Sequence, residues 1–346
     1  MAKLRYDVTL PIKDAARCVE MGKELAVRVK EDWKGAELDS EMFTNGITNK
    51  IFSVFRTEDR KDRLMFRVFG ENTERIIDRT HELEQWKRLS TFDLAAPLYG
   101  TFANGIICGF LPGNPLSVEQ VQDPTISKKV AEATAFMHKI PVEQNSEPCT
   151  WKKLETFLGN VDPVYKDPEN QRRFDEVFGP IDLRQLSTEL QQKIEALNPA
   201  IAFCHNDLLI HNILFDDDTG KIGFIDYEYA DANYELFDVG NHFNDTELFI
   251  PGVDNVNFSR CPGPVERRAW LKNYYAARTG GAVDEEKLEK TVQQIPLFQA
   301  TSHLFWVVWA LVQSQNSTID FDYLGYGIVR FREYERKLAE YEHNHA

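Results

Sequence analysis

His205-Asn206-Asp207-Leu208-Leu209-Ile210-His211-Asn212-Ile213-Leu214-Phe215, then Asp216-Asp217-Asp218-Thr219-Gly220, then Lys221-Ile222-Gly223-Phe224-Ile225-Asp226 form one unbroken stretch, and its reading decides the fold. Two short apolar runs flank an acidic segment ending in glycine, the pattern of two antiparallel strands joined by a turn. Pairing Phe215 with Ile222 sets Asn212 beside Ile225 and close to Asp226. An amide oxygen and a carboxylate then share one end of a hairpin, and Asp207 stands on the loop just before it. Asp216, Asp217 and Asp218 read differently, as a solvated turn.

Hard oxygen ligands that converge with open positions suit Mg²⁺ carrying a nucleotide's phosphates. Asp207 is then available to accept a proton from a hydroxyl. Base, amide ligand and second carboxylate are the set that phosphoryl transfer uses at a kinase-type site. The bland reading is a polar hairpin with unconnected acids, but an Asp-x4-Asn step followed by a strand-ending Asp is a specific combination.

Outward from this stretch, the first third of the chain reads as sheet around one helix. Ala15, Cys18, Val19, Leu25, Ala26 and Val29 fall on one face of a helix over 14–30. Residues 47–55 and 63–69 are β-branched and aromatic, with a polar turn over 56–62, and 97–102 with 105–110 read as two further strands. Residues 74–89 look helical. After Leu111-Pro112-Gly113-Asn114-Pro115 the pattern turns helical, with Val130, Ala133, Met137 and Ile140 as a buried stripe over 127–139. The expected architecture is α+β and two-lobed: a small β-rich lobe with a leading helix over 1–111, and a large helical lobe over 112–346 carrying the hairpin described above. A cleft between such lobes is a usual place for a ligand.

A phosphate cradle and a basic residue are expected in the first lobe. Thr44-Asn45-Gly46-Ile47-Thr48-Asn49-Lys50 offers small polar residues around a glycine, so backbone N–H groups can approach phosphates. Arg67 lies inside the apolar run Leu64-Met65-Phe66-Arg67-Val68-Phe69 and needs a partner if buried. Glu82 is the preferred partner and Glu84 the alternative, and a strand-edge salt bridge is the plainer reading. Trp306 and Trp309 are three apart on a helical pattern, so with Tyr229 they can offer π faces to an ammonium group or simply pack in the core.

Composition agrees with a soluble enzyme. The 346 residues suffice for about two domains with a sizeable core. Forty Lys and Arg against 55 Asp and Glu give a net charge of −15 without basic runs, which argues against nucleic acid as a partner. The five cysteines are odd in number, widely spaced and free of C-x-x-C pairs, so neither a disulfide framework nor a zinc site is expected. The first residues have no apolar leader, and the most hydrophobic run, 304–312, is short for a bilayer span. A cytoplasmic location without stable membrane insertion is expected, and a homodimer is left open.

The sequence strongly resembles the choline/ethanolamine kinase family from Phe43 to Tyr334. The resemblance rests on 45–50, on Arg67-Val68-Phe69-Gly70, on His205-Asn206-Asp207 with Asn212, and on Ile225-Asp226-Tyr227-Glu228-Tyr229. It rests further on Phe237-Asp238-Val239-Gly240-Asn241-His242-Phe243, on 302–311 and on Ser317-Thr318-Ile319-Asp320-Phe321. The resemblance implies a protein-kinase-like fold and ATP-dependent phosphorylation of a small amino alcohol with Mg²⁺. It implies Asp207 as the catalytic aspartate, Asn212 and Asp226 as metal ligands, and Arg67, braced by Glu82, on the nucleotide phosphates. It also implies Asn45, Gly46, Thr48 and Asn49 around the phosphates, Cys108 and Phe110 in the segment holding the adenine, and Asp238 and His242 bracing the catalytic loop.

Tyr229, Trp306, Trp309 and Asp245 are the residues implied for the amine; at position 245 the family generally has a glutamate. The stretch 205–209 and the tail 317–326 look more like ethanolamine kinases than choline kinases, so ethanolamine is the expected substrate, choline or both amines the alternative. The product would then enter phosphatidylethanolamine synthesis by the CDP-ethanolamine route. A non-catalytic kinase-fold binding protein is disfavoured because Asp207, Asn212 and Asp226 are all present. A protein kinase is disfavoured by His-Asn-Asp in place of His-Arg-Asp and by the short segment after Asp226.

Overall fold

A computed structural model of the chain describes residues 5–43, 49–70, 79–244, 253, 256–317 and 320–345. The chain divides into two compact units, Met1–Pro112 and Gly113–Ala346.

The first unit is built on a six-stranded sheet. Its elements are β1 (Arg5–Tyr6), α1 (Ala15–Val29), β2 (Leu38–Phe43), β3 (Asn49–Arg56), β4 (Asp59–Phe69), α2 (Arg79–Ser90), β5 (Leu98–Phe102) and β6 (Gly105–Gly109), with strand order β1-β5-β6-β4-β3-β2. Only β1 with β5 is a parallel pair; the other pairs are antiparallel. Asp14 caps α1 by accepting the Arg17 N–H at 3.0 Å. The core lies between α1 and the sheet, with Cys18, Leu25 and Ala26 of the helix in one cluster with Phe52, Val54, Leu64, Phe66 and Val68. Phe52 and Phe66, opposite each other on β3 and β4, stack with ring centroids 4.9 Å apart.

Two elements differ from the sequence reading here. The polar turn expected over 56–62 shrinks to Thr57-Glu58, because β3 and β4 continue through polar residues and Arg56 pairs with Asp59 across a bulge. Polar side chains on a solvated strand end do not stop the backbone ladder. The edge strand β2 was not expected, since its sequence Leu-Asp-Ser-Glu-Met-Phe is mostly polar and exposed. The helix expected over 74–89 is α2, and 74–78 lie outside the described residues.

In the second unit come β7 (Asn114–Pro115), α3 (Val118–Gln122), α4 (Pro124–Met137), α5 (Cys149–Leu158), α6 (Pro168–Val177) and α7 (Leu183–Ala196). Then follow β8 (Ile201–Cys204), β9 (Ile213–Asp216), β10 (Lys221–Phe224), β11 (Asp231–Tyr234), α8 (Glu235–Asn244), α9 (Pro264–Thr279), α10 (Glu285–Asn316) and α11 (Tyr323–Asn344). The strands form two small sheets, β10-β9-β7 and β11-β8. Gly113, at φ +116, brings the chain against β9 so closely that a Cβ would stand 2.9 Å from the Phe215 carbonyl carbon.

Helix α10 is the axis of this unit. It packs against α5, α7, α8, α9 and α11, and every residue from Gln294 to Gln313 is buried. By length and composition α10 could cross a bilayer, which the apolar run 304–312 alone did not suggest, but its apolar window is wholly covered by the rest of the chain. That is the state of a core helix. All five cysteines are free.

Candidate active site

Strands β9 and β10 pair with Phe215 opposite Ile222, and the Ile225 N–H donates to the Asn212 carbonyl at 3.0 Å. The register expected from the sequence thus sets Asn212 at the hairpin end that leads into Asp226. Asn212 donates its amide Nδ2 to the Asp207 carbonyl (2.9 Å) and to Asp207 Oδ2 (3.0 Å). Both donor contacts of the amide nitrogen go to Asp207, and Asn212 Oδ1 is left to act as an acceptor elsewhere. Asp226 sits at φ 65 and ψ 59, and Asn206 at φ 66, both left-handed. Non-glycine residues hold that conformation only where the surroundings over-determine it, and such places cluster at functional sites.

The surroundings of the loop before Asp207 are well defined. Asp238 on α8 accepts the His205 and Asn206 backbone N–H groups, each at 2.7 Å, one on each carboxylate oxygen. Its side chain is fully buried, and Oδ2 also meets His138 Nε2 at 3.1 Å. His242 lies one turn further along α8, buried. Burial depresses the His242 pKa to about 4, so the ring is neutral near pH 7. His205 bonds the Ile225 carbonyl through Nε2 at 2.9 Å and is also shifted down by burial. Asn206 donates to the Tyr229 carbonyl at 3.0 Å and accepts from Asn233 Nδ2 at 2.7 Å.

The three aromatic residues Tyr229, Trp306 and Trp309 lie together. Trp306 Nε1 donates to Asn241 Oδ1 at 2.7 Å, and Trp309 Nε1 donates to the Tyr229 hydroxyl at 2.9 Å. The Tyr229 and Trp306 rings meet edge to face at 5.4 Å, and Trp306 meets Trp309 at 5.5 Å and 81°. Burial holds the Tyr229 phenol well above its usual pKa, so it stays a neutral hydrogen-bonding group. Tyr323 and Tyr326 of α11 stand against Trp309 at 5.7 and 6.5 Å. The Lys153 ammonium lies 5.5 Å from the Tyr229 ring centroid and donates to the Tyr229 carbonyl at 2.7 Å.

In the first unit, Arg67 is buried in the central strand β4 and its Nη1 donates to Glu82 Oε1 at 2.7 Å. Glu82 Oε2 accepts from Arg79 Nη1 at 2.7 Å, so the carboxylate is gripped from two sides. The preferred partner, Glu82, is therefore the observed one. Cys108 is buried in β6 opposite Met65 and Leu98, and burial pushes its thiol up to about 12. Phe110 follows β6, with the Arg63 guanidinium 4.8 Å above its ring. Asn45, Gly46, Thr48 and Asp245 lie outside the described residues, and Asn49 is described only as the first residue of β3.

Sequence reasoning missed several residues around the second-unit site. Asn206 was read only as part of a motif, although a residue wedged between His and Asp on a tight loop is a candidate for left-handed backbone. His138 reaches Asp238 from α4, 100 residues earlier, and nothing local signals it. Asn241, Lys153 and the α11 tyrosines are likewise brought in by packing between helices.

A family model described as choline/ethanolamine kinase matches residues 41–335 of the chain. Among curated proteins, the chain is 36% identical over 307 residues to ethanolamine kinase 2 of Mus musculus, covering 88% of this chain and 78% of that one. It is 32% identical over 344 residues to ethanolamine kinase 1 of the same species, covering 97% and 94%. Among solved structures, an ethanolamine kinase of Plasmodium vivax superposes with a TM-score of 0.79 at 24% identity, covering 93% of this chain and 89% of that one.

Proposed function

The chain belongs to the choline/ethanolamine kinase family, with the α+β, protein-kinase-like fold of its structural relatives, and from that premise we propose that it phosphorylates ethanolamine at the expense of ATP. The observation that carries the reading is the Asp207–Asn212 contact at 3.0 Å on a loop whose two preceding N–H groups are held by Asp238. Such a loop presents a carboxylate in a fixed place, as a base or orienter requires.

In this reading Asp207 takes the proton of the ethanolamine hydroxyl as its oxygen bonds to the terminal phosphorus of ATP. The bond from that phosphorus to the bridging oxygen of ADP breaks. Asn212 keeps the Asp207 carboxylate turned toward the hydroxyl by donating to Oδ2, and the loop carbonyl it also binds keeps the turn closed. Arg67 is assigned to the nucleotide's phosphates, with Glu82 fixing the guanidinium. Asn45, Gly46, Thr48 and Asn49 are proposed around the same phosphates, and Cys108 and Phe110 beside the adenine.

The metal assignment rests on the donor set. Asn212 Oδ1 and the Asp226 carboxylate are hard oxygen ligands, and Asn212 has turned its nitrogen away to Asp207, so the pair fits Mg²⁺. When bound, Mg²⁺ neutralises charge on the phosphates during transfer. The amine is assigned to the π faces of Tyr229, Trp306 and Trp309, with Asp245 as an acceptor for its N–H groups. The names of the curated relatives favour ethanolamine over choline. The product then serves phosphatidylethanolamine synthesis by the CDP-ethanolamine route, which we place in the cytoplasm.

The test is steady-state turnover of purified protein with ATP, Mg²⁺ and a panel of ethanolamine, monomethyl- and dimethylethanolamine and choline, run beside Asp207→Asn. Ethanolamine should give the highest kcat/KM, and the variant should lose about 10²–10⁴-fold in kcat while still binding ATP. Preference for choline would move the substrate assignment, and near wild-type kcat in Asp207→Asn would remove the base.

A further inference from the structure

Helix α8 touches both halves of the proposed site from one stretch of its surface. Asp238 holds the loop that carries Asp207, and Asn241, three residues on, accepts Trp306 Nε1 and Ser302 Oγ on the same Oδ1, both at 2.7 Å. Residues 238 and 241 are neighbours at i and i+3, so one rigid turn of helix spans the catalytic loop and the aromatic residues of α10. The contact between the helices is unusually close at this turn. A Cβ on Gly240 would stand 2.7 Å from the Phe298 carbonyl carbon and 2.9 Å from the Gln299 nitrogen, so the two backbones approach because residue 240 has no side chain.

The hydrogen bonding of Asn241 is one-sided. The side chain is fully buried, Oδ1 takes two donors, and Nδ2 has no partner. A buried donor left unpaired is costly and calls for an explanation. An amide at this position gains nothing for its own nitrogen; what it supplies is an acceptor that holds an indole. Both donors come from consecutive turns of α10, and the indole so held is the ring that Tyr229 and Trp309 meet edge to face.

We propose that Asn241 is a positioning residue for the amine: by fixing the Trp306 indole it sets where the ammonium binds relative to the Asp207 carboxylate. The proposal rests on the reading of Tyr229, Trp306 and Trp309 as the amine site. Asn241 does not touch substrate in it. Because the same helix turn holds the catalytic loop, the separation between the ammonium site and the base is built into one short segment of backbone, and a two-carbon amino alcohol demands such a fixed separation.

The test is a double-mutant cycle with Asn241→Leu and Trp306→Phe, reading the KM for ethanolamine and for ATP in all four proteins. Asn241→Leu should raise the ethanolamine KM about 3- to 10-fold and leave the ATP KM within twofold. In the Trp306→Phe background, which has no indole N–H to hold, the same change should raise it no further. If the double variant instead shows the product of the two single effects, Asn241 acts independently of Trp306 and the proposal is overturned. If Trp306→Phe and Trp306→Leu both leave the ethanolamine KM unchanged, it is the amine-site reading that fails. Should Asn241→Leu not fold, Asn241→Ser, whose hydroxyl is too short to reach the indole, takes its place. Asn241→Asp keeps the acceptor and should restore the ethanolamine KM to within about twofold of wild type, whereas a KM as high as that of the Leu or Ser variant overturns the proposal.

Discussion

Replacing Asp238 with asparagine asks how much of the proposed catalytic loop hangs on one side chain. Its two oxygens accept the His205 and Asn206 N–H groups at 2.7 Å each and meet His138 Nε2 at 3.1 Å, all in fully buried surroundings. Asparagine keeps one acceptor oxygen and turns a nitrogen donor toward an N–H donor, so at least one buried backbone N–H loses its partner and the His138 contact loses its charge. Hydrogen bonds to charged groups are worth ~1.5–3 kcal/mol, and a buried donor left unpaired costs ~1–3 kcal/mol. The sum is about 2.5–6 kcal/mol, a range that contains the ~3–5 kcal/mol cost of breaking a buried ion pair. For a body of this size that corresponds to a fall in Tm of about 5–24 °C. Catalysis should suffer more than stability implies, because a catalytic group displaced by ~1 Å loses on the order of 10²-fold in rate. Thermal unfolding and single-turnover phosphorylation, measured on the same preparation below its Tm, give both numbers. A variant with Tm within 2–3 °C and kcat within threefold of wild type, at the scale just set, would refute the idea that Asp238 carries the loop.

Stability should also report on the buried histidines. His242 is depressed to about 4, and His205 and His303 are likewise lowered by burial, so between pH ~6.5 and ~4 the unfolded chain binds more protons than the folded one. Their neutral burial therefore stabilises the fold fully above about pH 6.5, and Tm should fall progressively as pH drops from 6.5 toward 4; a Tm unchanged between pH 7 and 5 would contradict the assignment. Asp226→Ala and Asn212→Ala should both weaken Mg²⁺-dependent turnover, Asp226 the more because a full charge is removed, and raising Mg²⁺ should partly rescue Asn212→Ala. Identical Mg²⁺ dependence in both variants and the parent would refute the ligand pair.

Local rules made the hairpin legible: an acidic, glycine-ended turn between apolar runs fixes register, and the Phe215–Ile222 pairing with Asn212 against Ile225 came straight from it. A charge inside an apolar strand needs a partner, and Glu82 was within reach on the next helix. What local rules do not see is pairing across long stretches. Strands β8 and β11 are four residues each and bracket the whole catalytic hairpin, so neither carries a turn signal, and each exists because the other does. The same holds for the His138–Asp238 contact and for Asn241 with Trp306, which arise when α8 comes beside the C-terminal end of α4 and packs on α10. Strand β2 was hidden for the opposite reason: an exposed edge strand can be polar and still complete a ladder.

The burial of α10 has a consequence for how the protein is made. Its apolar length is covered in part by α11, which leaves the ribosome after it, so α10 is fully synthesised before one of its walls exists. At ~5–20 residues per second that interval is on the order of seconds, long compared with the microseconds in which helices form. During it a segment with the length and composition of a membrane span is partly uncovered in the growing chain. A chain cut short before Tyr323 would keep residues 205–212, Asp226, Trp306 and Trp309 while lacking the helix that covers one side of α10.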